Sequence, residues 1–211
     1  MIIETIPVGP LQVNCYILWC EESREGIVID AGGNVERLFS KIEELNLSVT
    51  RLVNTHGHFD HVGGNRAFLE TTGATFLIHK KDAFFLSMAM EEGKSFGVQV
   101  ENSPEPNAFL VDNMIITFGK QELRVIHTPG HSPGGCCFYS ETSNVLFSGD
   151  TLFNGSVGRI DFPGGSMEML VESINKRLAV LPEDTKVYPG HGSSTTIAIE
   201  RYSNPFLRRK R

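Results

Sequence analysis

Short apolar runs separated by glycine-rich turns make up most of the chain, and they come in two successions. Residues 2–7, 13–19 and 26–30 have the length and composition of strands, with Gly9-Pro10 marking a turn between the first two. From 34 to 47 the period changes, and Val35, Leu38, Ile42 and Leu45 fall on one face of a helix. The pattern then predicts a strand at 51–54, a helix at 62–70, a strand at 75–78 and a helix at 80–90. Residues 91–107 hold Gly93, Gly97, Pro104 and Pro106 without a period and read as a loop, either a lid or a connector. The second succession places strands at 114–118, 122–128, 135–140 and 144–148. It continues with a helix at 166–178, a strand at 186–188 and a closing helix at 194–202. Two groups of strands, each followed by helices, predict two sheets packed face to face with helices outside.

Composition narrows the class without naming a function. The 211 residues suit one large domain or two small ones and allow a sizeable core, and 40% hydrophobic with 21% charged residues is ordinary for a globular protein. A net charge of -6 argues against a nucleic-acid partner, and the basic end 208–211 is too short to reverse that, reading as a solvated tail. The first residues lack a charged start followed by an apolar run, and no stretch approaches bilayer-spanning length. A cytoplasmic protein without membrane partners is expected. Cys15, Cys20, Cys136 and Cys137 match no zinc-ribbon or Cys-x-x-Cys spacing and read as packed or free thiols in a reducing compartment.

The chemistry collects around Thr55-His56-Gly57-His58-Phe59-Asp60-His61-Val62-Gly63-Gly64. His56 and His58 are two apart, so on an extended segment they point the same way. Asp60 and His61 continue into the start of a helix, which presents a second pair of donors elsewhere. Neutral imidazole and carboxylate are ligands for zinc and other divalent first-row metals. Taken alone, the stretch could be a polar turn whose Asp60 caps a helix. Further downstream, three more strand-like runs empty into glycine-rich turns carrying His131, Asp150 and His191. Ligands at the ends of several strands can converge on one edge of a sheet assembly.

The set His56-x-His58-x-Asp60-His61, then His131, Asp150 and His191, resembles the metallo-β-lactamase superfamily over nearly the whole chain. The resemblance implies a single domain over 1–211, a four-layer αβ/βα sandwich with metals at one edge. It implies two divalent ions, zinc first, with iron or manganese admitted. His56, His58 and His131 would bind one ion, Asp60, His61 and His191 the other, and Asp150 would bridge them. Asp60 is expected to serve as the catalytic carboxylate as well as a ligand. Asp30 is similar to the family's acidic residue that orients the metal-binding turn; a turn cap is the other reading. His79 and His127 read as structural, and the stripe Phe84, Phe85, Met88 reads as core.

Within the superfamily, residues 128–135 and 149–153, with Gly158-Arg159-Ile160-Asp161-Phe162-Pro163-Gly164-Gly165, resemble the short bacterial type of glyoxalase II, the hydroxyacylglutathione hydrolases. The implied substrate is a small-molecule thioester such as S-D-lactoylglutathione. Only 20 residues follow His191, so the helical domain that helps hold glutathione in full-length enzymes is expected to be absent. Arg159 is the candidate for contacting a substrate carboxylate; pairing with Asp161 is the equal alternative. The Gly-Arg-x-Asp-Phe segment also resembles persulfide dioxygenases, which use one iron on equivalents of His56, His131 and Asp150. Against that branch, no cysteine precedes Gly158. An RNase-like phosphodiesterase is disfavoured by the acidic charge, and a non-catalytic module predicts lost ligands where none is lost.

Overall fold

The structure, a computed structural model, describes residues 1–207; the basic end expected to be a solvated tail lies outside the described residues. The chain forms two compact units, Met1–Leu110 with Ile116–Glu122, and Val111–Ile115 with Leu123 onward.

The first unit is built on a six-stranded sheet in the order β1-β2-β3-β4-β5-β6. These strands are β1 (Ile2–Val8), β2 (Val13–Trp19), β3 (Glu25–Ile29), β4 (Ser48–Val53), β5 (Thr75–His79) and β6 (Ala108–Leu110). β1 to β3 pair antiparallel, and β3 to β6 pair parallel through helical crossovers. β2 is buried along its whole length, and apart from Asn14 its residues are apolar or aromatic, as suits a strand covered on both faces. The core gathers Ile17, Val28, Leu52, Phe68 and Phe76, with Ile42 and Leu45 packed against it.

The helix α1 (Val35–Glu44) carries the expected apolar face, but it ends three residues before Leu47. Asn46 sits in the left-handed region at φ 49°, the N–H of Leu47 donates to Ile42 O, and that of Asn46 donates to Glu43 O. This is a Schellman stop with asparagine in the place glycine usually fills. The single helix expected at 62–70 is two pieces, α2 (Phe59–Val62) and α3 (Asn65–Thr72). The N–H of Gly64 is taken by Ala31 O, so it cannot continue the α2 ladder. The helix expected at 80–90 is a 3₁₀ turn (Lys80–Asp82), α4 (Ala83–Leu86) and the start of α5 (Ala89–Ser95). The loop expected at 91–107 therefore begins helical. Gly93 is inside α5 because a Cβ there would meet Val100 Cγ2 at 2.8 Å, and the helix stops at Gly97, φ 72°. Beyond it the segment is tied down: Arg66 donates to Asn102 O, Met90 N to Asn102 Oδ1, Ser103 N to Leu86 O, and Asn65 to Ser103 Oγ. The stripe read as core is split: Phe85 is buried, whereas Phe84 and Met88 are 44% and 42% exposed. Phe84 and Phe85 are adjacent, so on a helix they point about 100° apart, and Met88 lies beyond the end of α4.

A hairpin of β7 (Ile115–Phe118) and β8 (Gln121–His127) carries the boundary between the units. The second unit places its strands in the order β14-β13-β10-β9-β8, with β9 (Cys136–Ser140), β10 (Val145–Gly149), β13 (Lys186–Pro189) and β14 (Thr195–Thr196). β10 and β13 are parallel; the other pairs are antiparallel. A two-stranded ribbon of β11 (Leu152–Phe153) and β12 (Ser156–Val157) was too short to be read from pattern. The helix expected at 166–178 is α6 (Met167–Ser173), capped by the Ser166 hydroxyl, followed by a π turn over Ile174–Leu178. The closing helix is α7 (Ile197–Ser203), capped by Thr196. Leu146, Leu170, Ile174, Val187 and Ile197 form this unit's core. All four cysteines are buried free thiols, and burial raises Cys137 to about 11. Among the described residues, no helix is long and apolar enough to cross a membrane.

Candidate metal centre

In the first unit, β4 ends at Val53 and the chain runs through Asn54, Thr55, His56, Gly57 and His58 into α2. His56, His58 and His61 are all buried. The rings of His56 and His58 meet edge to face with centroids 4.7 Å apart, and those of His56 and His61 lie 4.0 Å apart. Asp60 Oδ2 stands 3.8 Å from His61 Nε2. Gly57 is obligatory between the two histidines: its N–H donates to Asp82 Oδ2 at 3.0 Å, and a Cβ would meet Asp82 O at 2.7 Å and Phe85 Cβ at 2.9 Å. Phe85 in turn sets its ring edge to face with that of His58, centroids 4.9 Å apart. Gly32 is similarly fixed, since a Cβ there would lie 1.8 Å from Asp60 O.

Asp30 is the hub beneath this turn. It is buried, with φ 57°. Its Oδ1 accepts from Thr55 N at 2.8 Å and from Asn54 Nδ2 at 3.1 Å, and its Oδ2 accepts from the Thr55 hydroxyl at 2.7 Å. His61 Nδ1 lies 2.9 Å from the same Oδ2. Glu92, on α5, accepts the N–H of Phe59 at the first turn of α2; burial raises its pKa, and the Asp60 charge adds to the rise.

In the second unit, β8 leads into Thr128-Pro129-Gly130 and then His131. Gly130 has φ 143°, and a Cβ there would lie 2.3 Å from the backbone of Leu170. β10 ends in Gly149, φ 49°, which delivers Asp150; β13 ends in Pro189, and Gly190 N donates to Gly149 O just before His191. Asp150 Oδ2 is 3.7 Å from His131 Nε2 and 3.7 Å from His191 Nε2. His131 Nδ1 contacts Arg159 O at 2.7 Å. Gly158 threads between these groups, where a Cβ would meet Asp150 O at 2.0 Å and His131 Nδ1 at 2.8 Å.

Nitrogen–oxygen separations of 3.7–3.8 Å are too long for hydrogen bonds. They approach the separation of about 3.3 Å that follows from two ligands bonded at 2.0–2.1 Å to one tetrahedral ion. All seven residues belong to groups of His and Asp side chains that could hold a metal ion. The donor set, three imidazoles with Nδ1 engaged by other protein groups and two carboxylates among them, suits borderline divalent metals.

The other histidines sit elsewhere: His79 Nδ1 accepts from Lys81 N and caps the 3₁₀ turn, and His127 Nε2 meets Pro133 O at 3.1 Å. Arg159 pairs with Asp161 through one guanidinium edge, Nε and a terminal nitrogen, with Nε 2.5 Å from Oδ1, and its guanidinium lies over the ring of Phe162. That hydrogen bonding lowers the Asp161 carboxyl to about 2. Sequence reasoning missed Asp82, Glu92 and the Arg159 carbonyl. The first two are 25 and 33 positions from their partners, and a backbone carbonyl carries no residue signature.

A family model for the metallo-beta-lactamase superfamily matches residues 8–191. The chain belongs to that superfamily and has its fold, as the ligand motif implied. Among curated relatives, the hydroxyacylglutathione hydrolase GloC of Haemophilus influenzae is 40% identical and aligned over 100% of both chains. Among solved structures, the BLEG-1 B3 metallo-beta-lactamase aligns at TM-score 0.91 with 36% identity, covering 98% of this chain and 99% of that one. TTHA1623 in a di-iron-bound form aligns at TM-score 0.89 with 37% identity, covering 97% and 100%. ETHE1 from Myxococcus xanthus aligns at TM-score 0.80 with 27% identity, covering 97% and 84%.

Proposed function

We propose that this chain is a dinuclear metallohydrolase that opens a small-molecule thioester, a hydroxyacyl-glutathione or a related acyl thiol. The observation that carries the reading is the end-to-end likeness to GloC at 40% identity in a chain that keeps the complete donor set. His56, His58 and His131 would hold one ion, Asp60, His61 and His191 the other, and Asp150 both. When bound, such a pair of ions supplies a hydroxide at neutral pH and polarises the acyl carbonyl. The chain's own part is to hold the ligands rigid, to keep the imidazoles dry and to present Asp60 as the acid–base carboxylate. Buried histidines and obligatory Gly57 and Gly158 serve the first two tasks. Asp60, the motif residue with a side chain 14% exposed, retains access to solvent for the third. Water is consumed, and a hydroxy acid and a free thiol leave. Arg159, already paired with Asp161, could meet a substrate carboxylate through the guanidinium N–H groups that this pair does not use.

Turnover of S-D-lactoylglutathione by purified protein, with metal analysis alongside, tests this reading. Two ions per chain and thiol release without oxygen uptake are expected. A second reading, an iron-dependent persulfide dioxygenase, draws on the likeness to ETHE1 and on the Gly158–Phe162 segment. No thioester turnover, one iron per chain and oxygen uptake on glutathione persulfide would establish it in place of the first.

A further inference from the structure

We infer that Thr55 is a positioning residue that fixes the proton of His56 on Nδ1, so that one carboxylate, Asp30, sets the tautomers of two ligand histidines. The inference rests on the ligand roles proposed above for His56 and His61, but its geometry stands in the first unit by itself. Four donor groups surround Asp30. The backbone N–H of Thr55 and the amide of Asn54 address Oδ1, and the Thr55 hydroxyl and His61 Nδ1 address Oδ2. A carboxylate has about four lone-pair positions, so this set fills it. His61 must therefore carry its proton on Nδ1, since an ionised carboxylate can only accept.

The Thr55 hydroxyl has a single hydrogen, and Asp30 Oδ2 takes it at 2.7 Å. Toward His56 Nδ1, 3.0 Å away, the same oxygen can then only accept. His56 is thereby held with hydrogen on Nδ1 and its lone pair on Nε2. Residue and hub are both buried, so water does not compete for these bonds. The motif's threonine bridges His56 to Asp30, which His61 meets directly, and these two imidazoles, with ring centroids 4.0 Å apart, are the ones assigned to different ions. A group that fixes ligand orientation in this way typically changes metal affinity by about 10–100-fold.

Nitrogen-15 imidazole spectra of the metal-free protein at pH above 8 read the tautomers directly. Wild type is expected to show His56 and His61 both protonated on Nδ1. Thr55→Val should release His56 to a mixture while His61 stays fixed, and Thr55→Ser should restore the wild-type spectrum. His56 protonated on Nε2 in wild type overturns the inference, a result that needs no variant to fold. So does an unchanged His56 spectrum in Thr55→Val. Titration with zinc gives the second readout: one of two ions should weaken by about 10–100-fold in Thr55→Val and recover in Thr55→Ser. Tautomers that respond as expected in a protein taking up no zinc would support the threonine's role and sink the ligand assignment.

Discussion

Asp150 Oδ2 sits at the same 3.7 Å from the Nε2 atoms of His131 and His191, which the proposal gives to different ions. A carboxylate so placed is the natural bridge, and its removal strips charge from both ions at once. Asp150→Ala is therefore expected to lower metal content and activity together, by more than the 10–100-fold typical of groups that only support a ligand. Metal analysis beside the thioester assay decides; a variant that kept both ions and full rate would disprove the bridge. The seven proposed ligands come from local patterns: His56, His58, His131, Asp150 and His191 follow strands in glycine-rich turns, and Asp60 and His61 continue the first of these turns into α2. Asp30 was found the same way, from Asp30-Ala31-Gly32-Gly33. Asp82 was not, because it reaches Gly57 across 25 positions with no local sign. Arg159 carried two readings in the sequence, and the structure pairs one edge of its guanidinium with Asp161 while putting its carbonyl against His131.

The longer strands were legible as apolar runs, whereas two- and three-residue strands such as β6 and β14 were not, and helix termini were not, since a stop depends on one residue's φ. At Asn46 the left-handed backbone costs an asparagine little and a β-branched residue about 1–2 kcal/mol. Asn46→Val should therefore lower stability by about that amount in urea unfolding, while Asn46→Gly should be neutral or slightly stabilising. Equal effects of the two would show that the stop does not need the left-handed residue. Glu92 tests the link between α5 and α2. Burial raises its folded pKa above its unfolded one, so folding favours the neutral form. That contribution is fully present below the unfolded pKa and is lost as pH rises through the folded value. Glu92→Gln keeps an oxygen for Phe59 N–H without the charge. In metal-free protein the variant should match wild type in acid and exceed it at neutral pH. A difference between the two that does not change with pH would remove the electrostatic cause.

At the scale of the whole molecule, ions held by the proposed ligand set would add stability, since they bind the folded chain and not the unfolded one. A native-state ligand at about 1,000 times its Kd adds about 4 kcal/mol. For a chain of this length each kcal/mol moves Tm by about 2–4 °C. Removing two such ions with a chelator should then lower Tm by about 16–32 °C, and adding zinc back should restore it. Asp150→Ala gives the control: if the ions act through the proposed ligand set, its Tm should already be low and should respond little to chelator. Wild-type protein with two ions per chain and a Tm indifferent to their removal would mean that they sit on the surface. The seven side chains would then owe their arrangement to packing alone.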